Sequence, residues 1–172
     1  MRLEEMTAEY EEALHILKNE FQANPESAVV ECRAFDIPSS VRSRERFIFA
    51  YQRHLAHIIG NDLSDRVSIV LNETLMNVEE HAHKYDAKKK ARVYSIVFDD
   101  HVYLSVQSQG PGFDVESVRR SAFNSDGTLY NLPRGRGYIM ILGFSDKVIT
   151  RDKGRELYAL IKTERPTPKS LM

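Results

Sequence analysis

Cysteine is almost missing from this sequence. Cys32 is the only one in 172 residues, so no intramolecular disulfide can form, and no Cys/His spacing suggests a structural zinc site. The lone thiol reads as a small apolar strand residue. An excess of charge of either sign is missing too. The 24 basic and 25 acidic residues are well mixed and leave a formal net charge of -1. No global field would draw the chain to nucleic acid or anionic lipid, so protein and small-molecule partners are expected, with no direct nucleic-acid or membrane contact. No apolar run approaches the ~20 residues needed to span a bilayer. Acidic residues in MRLEEMTAEYEEAL stand where a signal peptide needs an apolar core. The expectation is a soluble, cytoplasmic protein. Internal repeats are not seen. The length and the 42% hydrophobic content suit one α/β domain with a real core and are too small for two.

Leu3, Met6, Tyr10, Ala13 and Leu17 recur at steps of three and four, with Leu14 and Phe21 broadening the stripe. That is an amphipathic helix, expected to end near Asn24-Pro25 because the residue before proline disfavours the helical conformation. Its apolar stripe either caps the sheet or pairs with a second copy or a partner, which leaves a homodimer open. Ala28 to Phe35 suits a strand. Ser39 or Ser40 caps a second helix that Gly60 terminates, and Asp62 or Ser64 starts a third running to about His83. Ala91 to Phe98 and His101 to Gln107 form a hairpin around Asp99-Asp100, and Lys88 to Lys90 is a solvated turn. Residues 115 to 134 read as a partly helical, mobile segment. Gly137 to Leu142 opens a short helix, and Lys147 to Arg151 with Glu156 to Thr163 closes the chain as a hairpin turned at Lys153-Gly154. The expected architecture is α+β, a two-layer α/β sandwich with a mostly antiparallel sheet covered by helices. It divides into an N-terminal helix (1–24), a domain (25–164) and a frayed tail (165–172).

Two constellations bear on chemistry. Glu73, Asn77 and His81 fall at i, i+4 and i+8 of the third helix and so project from roughly one face. Such a stripe is either a solvated face or a carboxylate and an amide oxygen aimed at a hydrated divalent cation, and hard oxygen ligands suit magnesium. Six of the eight glycines lie between Gly110 and Gly143, which is the stronger clue. Glycines let a backbone approach a ligand closely, and Gly135-Arg136-Gly137 immediately precedes a helix whose free N–H groups can hold phosphate. His81 and His83 with Glu79 and Glu80 do not share one helix face and are set aside as a metal cluster. His54 and His57 show no clear carboxylate partner and read as surface residues. His15 on the first helix reads as chance similarity to a phospho-accepting histidine.

In order along the chain, ETLMNVEEHAH (Glu73 to His83), VQSQGPGFD (Val106 to Asp114) and GRGYIMILGFSDKV (Gly135 to Val148) resemble the N, G1 and G2 boxes of the GHKL ATPases. The last is particularly similar to that of the bacterial anti-sigma-factor serine kinases. The resemblance covers about Ala28 to Lys162 and implies the Bergerat, or histidine-kinase-like, ATPase fold with ATP or ADP and Mg2+ as cofactors. It implies Glu73 as general base and Asn77 as magnesium ligand. His81, Ser108, Gly110, Gly112, Gly135, Arg136, Gly137 and Tyr138 are implied to bind the nucleotide together with Asn77, the glycines at 135 and 137 cradling the phosphates. A sigma factor and a STAS-type anti-sigma antagonist, the latter phosphorylated, are the implied partners. One position departs from the pattern. The G1 aspartate that accepts a hydrogen bond from the adenine amino group is Ser108 here, and loss of a charged acceptor costs about 1.5–3 kcal/mol. Alternatives to the kinase reading are a protein-binding regulator of the same fold with impaired nucleotide use, and a detached histidine-kinase catalytic domain.

Overall fold

The computed structural model describes residues 3–23, 27–112 and 136–163. The expected segment 115–134, the tail and Gly135 lie outside the described residues. Helix α1 spans Leu3–Asn19, strand β1 Val29–Pro38, α2 Val41–Ile59 and α3 Asn61–Asn77. A π turn, Val78–Ala82, extends α3. Beyond it come β2 (Lys90–Phe98), β3 (His101–Ser108), α4 (Arg136–Phe144), β4 (Lys147–Arg151) and β5 (Glu156–Lys162). The five strands form one sheet in the order β1-β2-β3-β5-β4, with every described pairing antiparallel.

Side chains along the central strands are apolar on both faces, and the pleat sorts them into two cores. Val93 and Val97 of β2, Val102, Leu104 and Val106 of β3, and Leu157, Ala159 and Ile161 of β5 face one way. There they meet Leu55 of α2, Leu63, Val67, Val70 and Leu71 of α3 and Ile141 of α4. Tyr94, Ile96, Phe98, Tyr103, Tyr158 and Leu160 face the other way, against Ala13, Ile16, Leu17 and Phe21. The α+β sandwich is thus as expected, and α1 caps the outer face of its sheet as an added layer. Of the two uses open to its stripe, the first is the one seen. Ile16 is fully buried and Leu14 only half-buried, the reverse of what the sequence suggests, because the stripe drifts around the helix at 100° per residue.

Helix α1 ends at Asn19, before the Asn24-Pro25 stop that the sequence suggests. Gln22 adopts the left-handed conformation (φ 51), and the Ala23 N–H reaches back to the Leu17 carbonyl at 2.9 Å. Polar contacts hold the helix to the sheet as well. Arg92 of β2 donates to Glu9 at 2.9 Å, and the Tyr158 hydroxyl donates to Glu12 at 3.1 Å.

The elements that carry the site are fixed by specific local chemistry. Ser40 caps α2 by accepting the Ser43 N–H at 3.2 Å. Gly60, at φ 79, ends α2 and lets α3 start at once, its carbonyl accepting the Ser64 N–H. Arg66, 7% exposed, reaches from α3 to the Lys162 carbonyl (2.7 Å), the Phe144 carbonyl (3.3 Å) and Asp146 (3.3 Å), and so fixes the C-terminal end of α4. Four expectations need correction. Helix α3 stops at Asn77 and continues as a π turn. Strand β1 runs on to Pro38, because Phe35 to Pro38 pair with Val93 to Lys90. Lys90 belongs to a strand. His54 does have a carboxylate partner: its Nε2 lies 2.7 Å from Glu31 of β1, a long-range pairing that helical spacing could not reveal.

If α1 is part of the core, Leu17→Ala should lower the unfolding free energy in urea by about 2–5 kcal/mol. Leu14→Ala should lower it by clearly less, and equal losses would count against the docking described.

Candidate functional site

The site is built where the first turn of α4 meets the polar face of α3. A Cβ placed on Gly137 would lie 2.7 Å from Glu73 Oε2, 3.5 Å from Asn77 Oδ1 and 3.8 Å from Asn77 Nδ2. The helix start is therefore in contact with both polar side chains, and only the lack of a side chain at 137 permits it. The N–H groups at a helix N-terminus have no intrahelical partner and carry partial positive charge, so the carboxylate, the amide oxygen and these donors converge. Glu73 and Asn77 are both half-buried. Glu73 is oriented through a relay. Arg44 of α2 donates to Asn72 Oδ1 at 2.5 Å, and Asn72 Nδ2 donates to Glu73 Oε1 at 3.4 Å. Arg44, itself 8% exposed, also pairs with the buried Glu79 at 3.1 Å and so ties the π turn to α2.

Beside Asn77 a narrow slot opens between α3 and the sheet. Thr74, Asn77 and Val78 line one wall, with Val106, Thr150 and Leu157 opposite and Gly154 and Arg155 at the end. Ser108 lies two residues beyond Val106 on the same face of β3. Its N–H donates to the Arg155 carbonyl at 2.8 Å, while its hydroxyl is buried with no partner among the described residues. The glycine loop after β3 is locked by contacts as close as those of Gly137. A Cβ on Gly110 would fall 2.0 Å from the Ala82 carbonyl oxygen, so this backbone rests directly on the π turn. Gly112 has φ +79 and lies against the Lys153 carbonyl, where a Cβ would come within 2.3 Å.

The remaining expected residues divide. Tyr138 turns into the core with Ile141, because positions three apart on α4 share the face toward α3; its backbone stays in the first turn of the helix. Arg136 contributes its backbone to that turn, and its side chain lies outside the described residues. His81 is exposed on the π turn, one turn beyond Asn77. Among the described residues no group of three or more His, Cys, Asp or Glu could hold a metal ion. No helix of the described residues is long and apolar enough to cross a membrane.

Residues 37–161, well over half of the chain, match the model of the histidine kinase-like ATPase domain. The chain belongs to this family. A comparison with curated proteins found no match. As a histidine kinase-like ATPase domain, a GHKL-type ATP-binding fold, it calls for ATP with Mg2+, and two observations fit that group. At Gly137 the start of α4, whose first N–H groups suit phosphate, lies against an oxygen donor set suited to magnesium. The orphaned Ser108 hydroxyl is a buried polar atom whose partner a ligand or water could supply.

Sequence reasoning passes over several residues of this domain. Thr74, Thr150 and Arg155 enter the slot through folding of the sheet against α3, and nothing in their spacing marks them. Arg44 lies 28 and 35 positions from the two side chains it binds. Spacing presents His83 only as a metal ligand, yet it is buried and its Nε2 accepts the Gln109 N–H at 3.0 Å.

The two glycines should respond differently to alanine. Gly110→Ala meets a backbone carbonyl that cannot rotate away and should cost about 1–3 kcal/mol in denaturant unfolding. Gly137→Ala meets the end of the Glu73 side chain, which can swing aside, so its stability loss should be smaller. A larger loss at 137 than at 110 would contradict this packing.

Proposed function

We propose that this domain binds ATP with Mg2+ and acts as a protein serine kinase like the anti-sigma-factor kinases, capturing a sigma factor and phosphorylating its antagonist in the cytoplasm. The observation that carries the nucleotide site is the convergence of Glu73 and Asn77 on the first turn of α4 at Gly137. The kinase assignment draws on the wording of the GRG-type box, Gly135 to Val148.

In this reading, Asn77 Oδ1 would hold the cation, and the N-terminal N–H groups of α4 would offset phosphate charge. ATP supplies the transferable phosphoryl group when bound. Glu73 accepts the proton of the attacking hydroxyl at a carboxylate oxygen, with the Arg44–Asn72 relay setting its direction. Positioning and charge neutralisation are the main contributions a protein can make to such a transfer. The narrow slot beside Asn77, closed by Val106, Thr150 and Leu157, has about 10 Å³ of accessible space, room for one water, so it would have to widen to take the base. Ser108, on the same face, would meet its polar edge directly or through water.

A second reading, a protein-binding regulator with weakened nucleotide use, is favoured by Ser108 alone. Calorimetry with ATP or ADP separates the two. The kinase reading expects magnesium-dependent heat that Asn77→Ala abolishes and transfer to a serine substrate that Glu73→Gln abolishes. The regulator reading expects no heat at high nucleotide concentration from folded protein, with partner capture unaffected by either change. Ser108→Asp should tighten ATP binding by roughly tenfold to a hundredfold, and no change would mean that Ser108 does not meet the base.

A further inference from the structure

Two segments of the site have no covalent continuity and no regular secondary structure in common: the π turn after α3 and the glycine loop after β3. Their mutual position rests on a backbone contact and one side chain. Gly110 rests on the Ala82 carbonyl, and the next residue along the turn, His83, accepts the Gln109 N–H at its Nε2. His83 is itself held in place, since its N–H donates to the Val78 carbonyl at 2.8 Å and the residue is only 1% exposed. Gln109 is gripped from its other end by its side chain, whose Oε1 accepts the Lys90 N–H at 2.8 Å.

The direction of the ring contact fixes its protonation. A backbone amide can only donate, so Nε2 carries a lone pair and the proton sits on Nδ1. Nδ1 is buried without a partner among the described residues. The ring therefore works as an acceptor only while neutral. An imidazolium would point an N–H at the Gln109 N–H, two donors 3.0 Å apart with no acceptor between them.

We propose that His83 is a positioning residue of the nucleotide site: its neutral ring holds the Gly110–Gly112 loop on the π turn, and protonation of that ring releases the loop and weakens nucleotide binding. The inference rests on the reading of this site as a nucleotide site. Burial, first, and the neighbouring Lys89 ammonium hold the ring below the usual histidine range, with the Asp86 carboxylate of the same turn opposing them. Linkage gives the sign. A ring whose folded value lies below its unfolded value of about 6.5 contributes stability that is intact at neutral pH. That contribution falls as pH drops below about 6.5 and is lost in full once pH passes below the folded value.

The test has two arms on the full chain. In the first, affinity for Mg2+ with ADP is measured by calorimetry between pH 8 and pH 5.5 for the wild type, His83→Gln and His83→Leu. Glutamine places an uncharged acceptor at about the position of Nε2 and does not titrate. Wild-type affinity should fall as pH drops, approaching tenfold per pH unit below the folded value of the ring. His83→Gln should bind as the wild type does at pH 8 and lack that extra fall, the titration of ADP itself being common to both. His83→Leu should bind at least tenfold more weakly at pH 8 while remaining folded. The same pH profile in His83→Gln as in the wild type, or wild-type affinity in His83→Leu, overturns the proposal. In the second arm, nitrogen NMR of the nucleotide-free wild type should show an unprotonated His83 Nε2 at pH 7.5 and a Gln109 amide signal that shifts with titration of the ring. A protonated Nε2 at pH 7.5, or a Gln109 amide indifferent to the ring, overturns the proposal. If no variant binds nucleotide at any pH, the nucleotide reading fails, and the second arm still decides whether His83 holds the loop.

Discussion

The close approach of two glycine segments, at three backbone positions, to α3, its π turn and the β4–β5 turn is the constraint on which this site depends. At Gly110 the backbone meets the Ala82 carbonyl, at Gly137 it meets Glu73 and Asn77, and at Gly112 it meets the turn between β4 and β5. Each contact leaves no room for a Cβ. Protein interiors transmit such contacts because they are packed almost without free volume. A shift of α3 relative to the sheet would therefore move the carboxylate, the amide and both glycine segments together.

What keeps α3 in place is a combination of apolar burial and a few buried polar clamps. Val67, Val70 and Leu71 press on the inner face of the sheet, and Arg66 reaches across to the ends of α4 and β5. From the other side, Arg44 ties α2 to the π turn through Glu79 and to the polar face of α3 through Asn72. A buried ion pair adds little net stability over apolar packing, but it resists rearrangement, because separating the partners leaves a charge in low dielectric. Rigidity around Glu73 is the useful product. Helix α1 supports this from a distance: by burying Tyr94, Tyr103 and Tyr158 on the outer face, it allows the strands under the site to be apolar on both sides.

The membership of the chain in the histidine kinase-like ATPase family and the geometry at Gly137 point to the same place in the fold, though they rest on different observations. The family match draws on the chain from 37 to 161 as a whole. The geometry draws on two side chains and one helix start. Ser108 stands where they part, because a hydroxyl is a poorer acceptor than a carboxylate while still remaining a polar atom that burial requires to be satisfied.

Much of this is legible along the chain because it is local. Period-two strands, the cap at Ser40, the stop at Gly60 and the glycine clusters depend on neighbours within a few residues, and each is readable in short stretches such as Val41 to Gly60 or Gly110 to Gly112. Sequence also places Glu73 and Asn77 on one face, since an i, i+4 pair needs only a regular helix. It does not reveal the π turn, against which the Glu79–Arg44 pair and the Gly110 backbone pack. It also misses the Glu31 partner of His54, the acceptor role of His83 and the walls of the slot. Those contacts join residues tens of positions apart, and their distances exist only once the sheet has closed against α3.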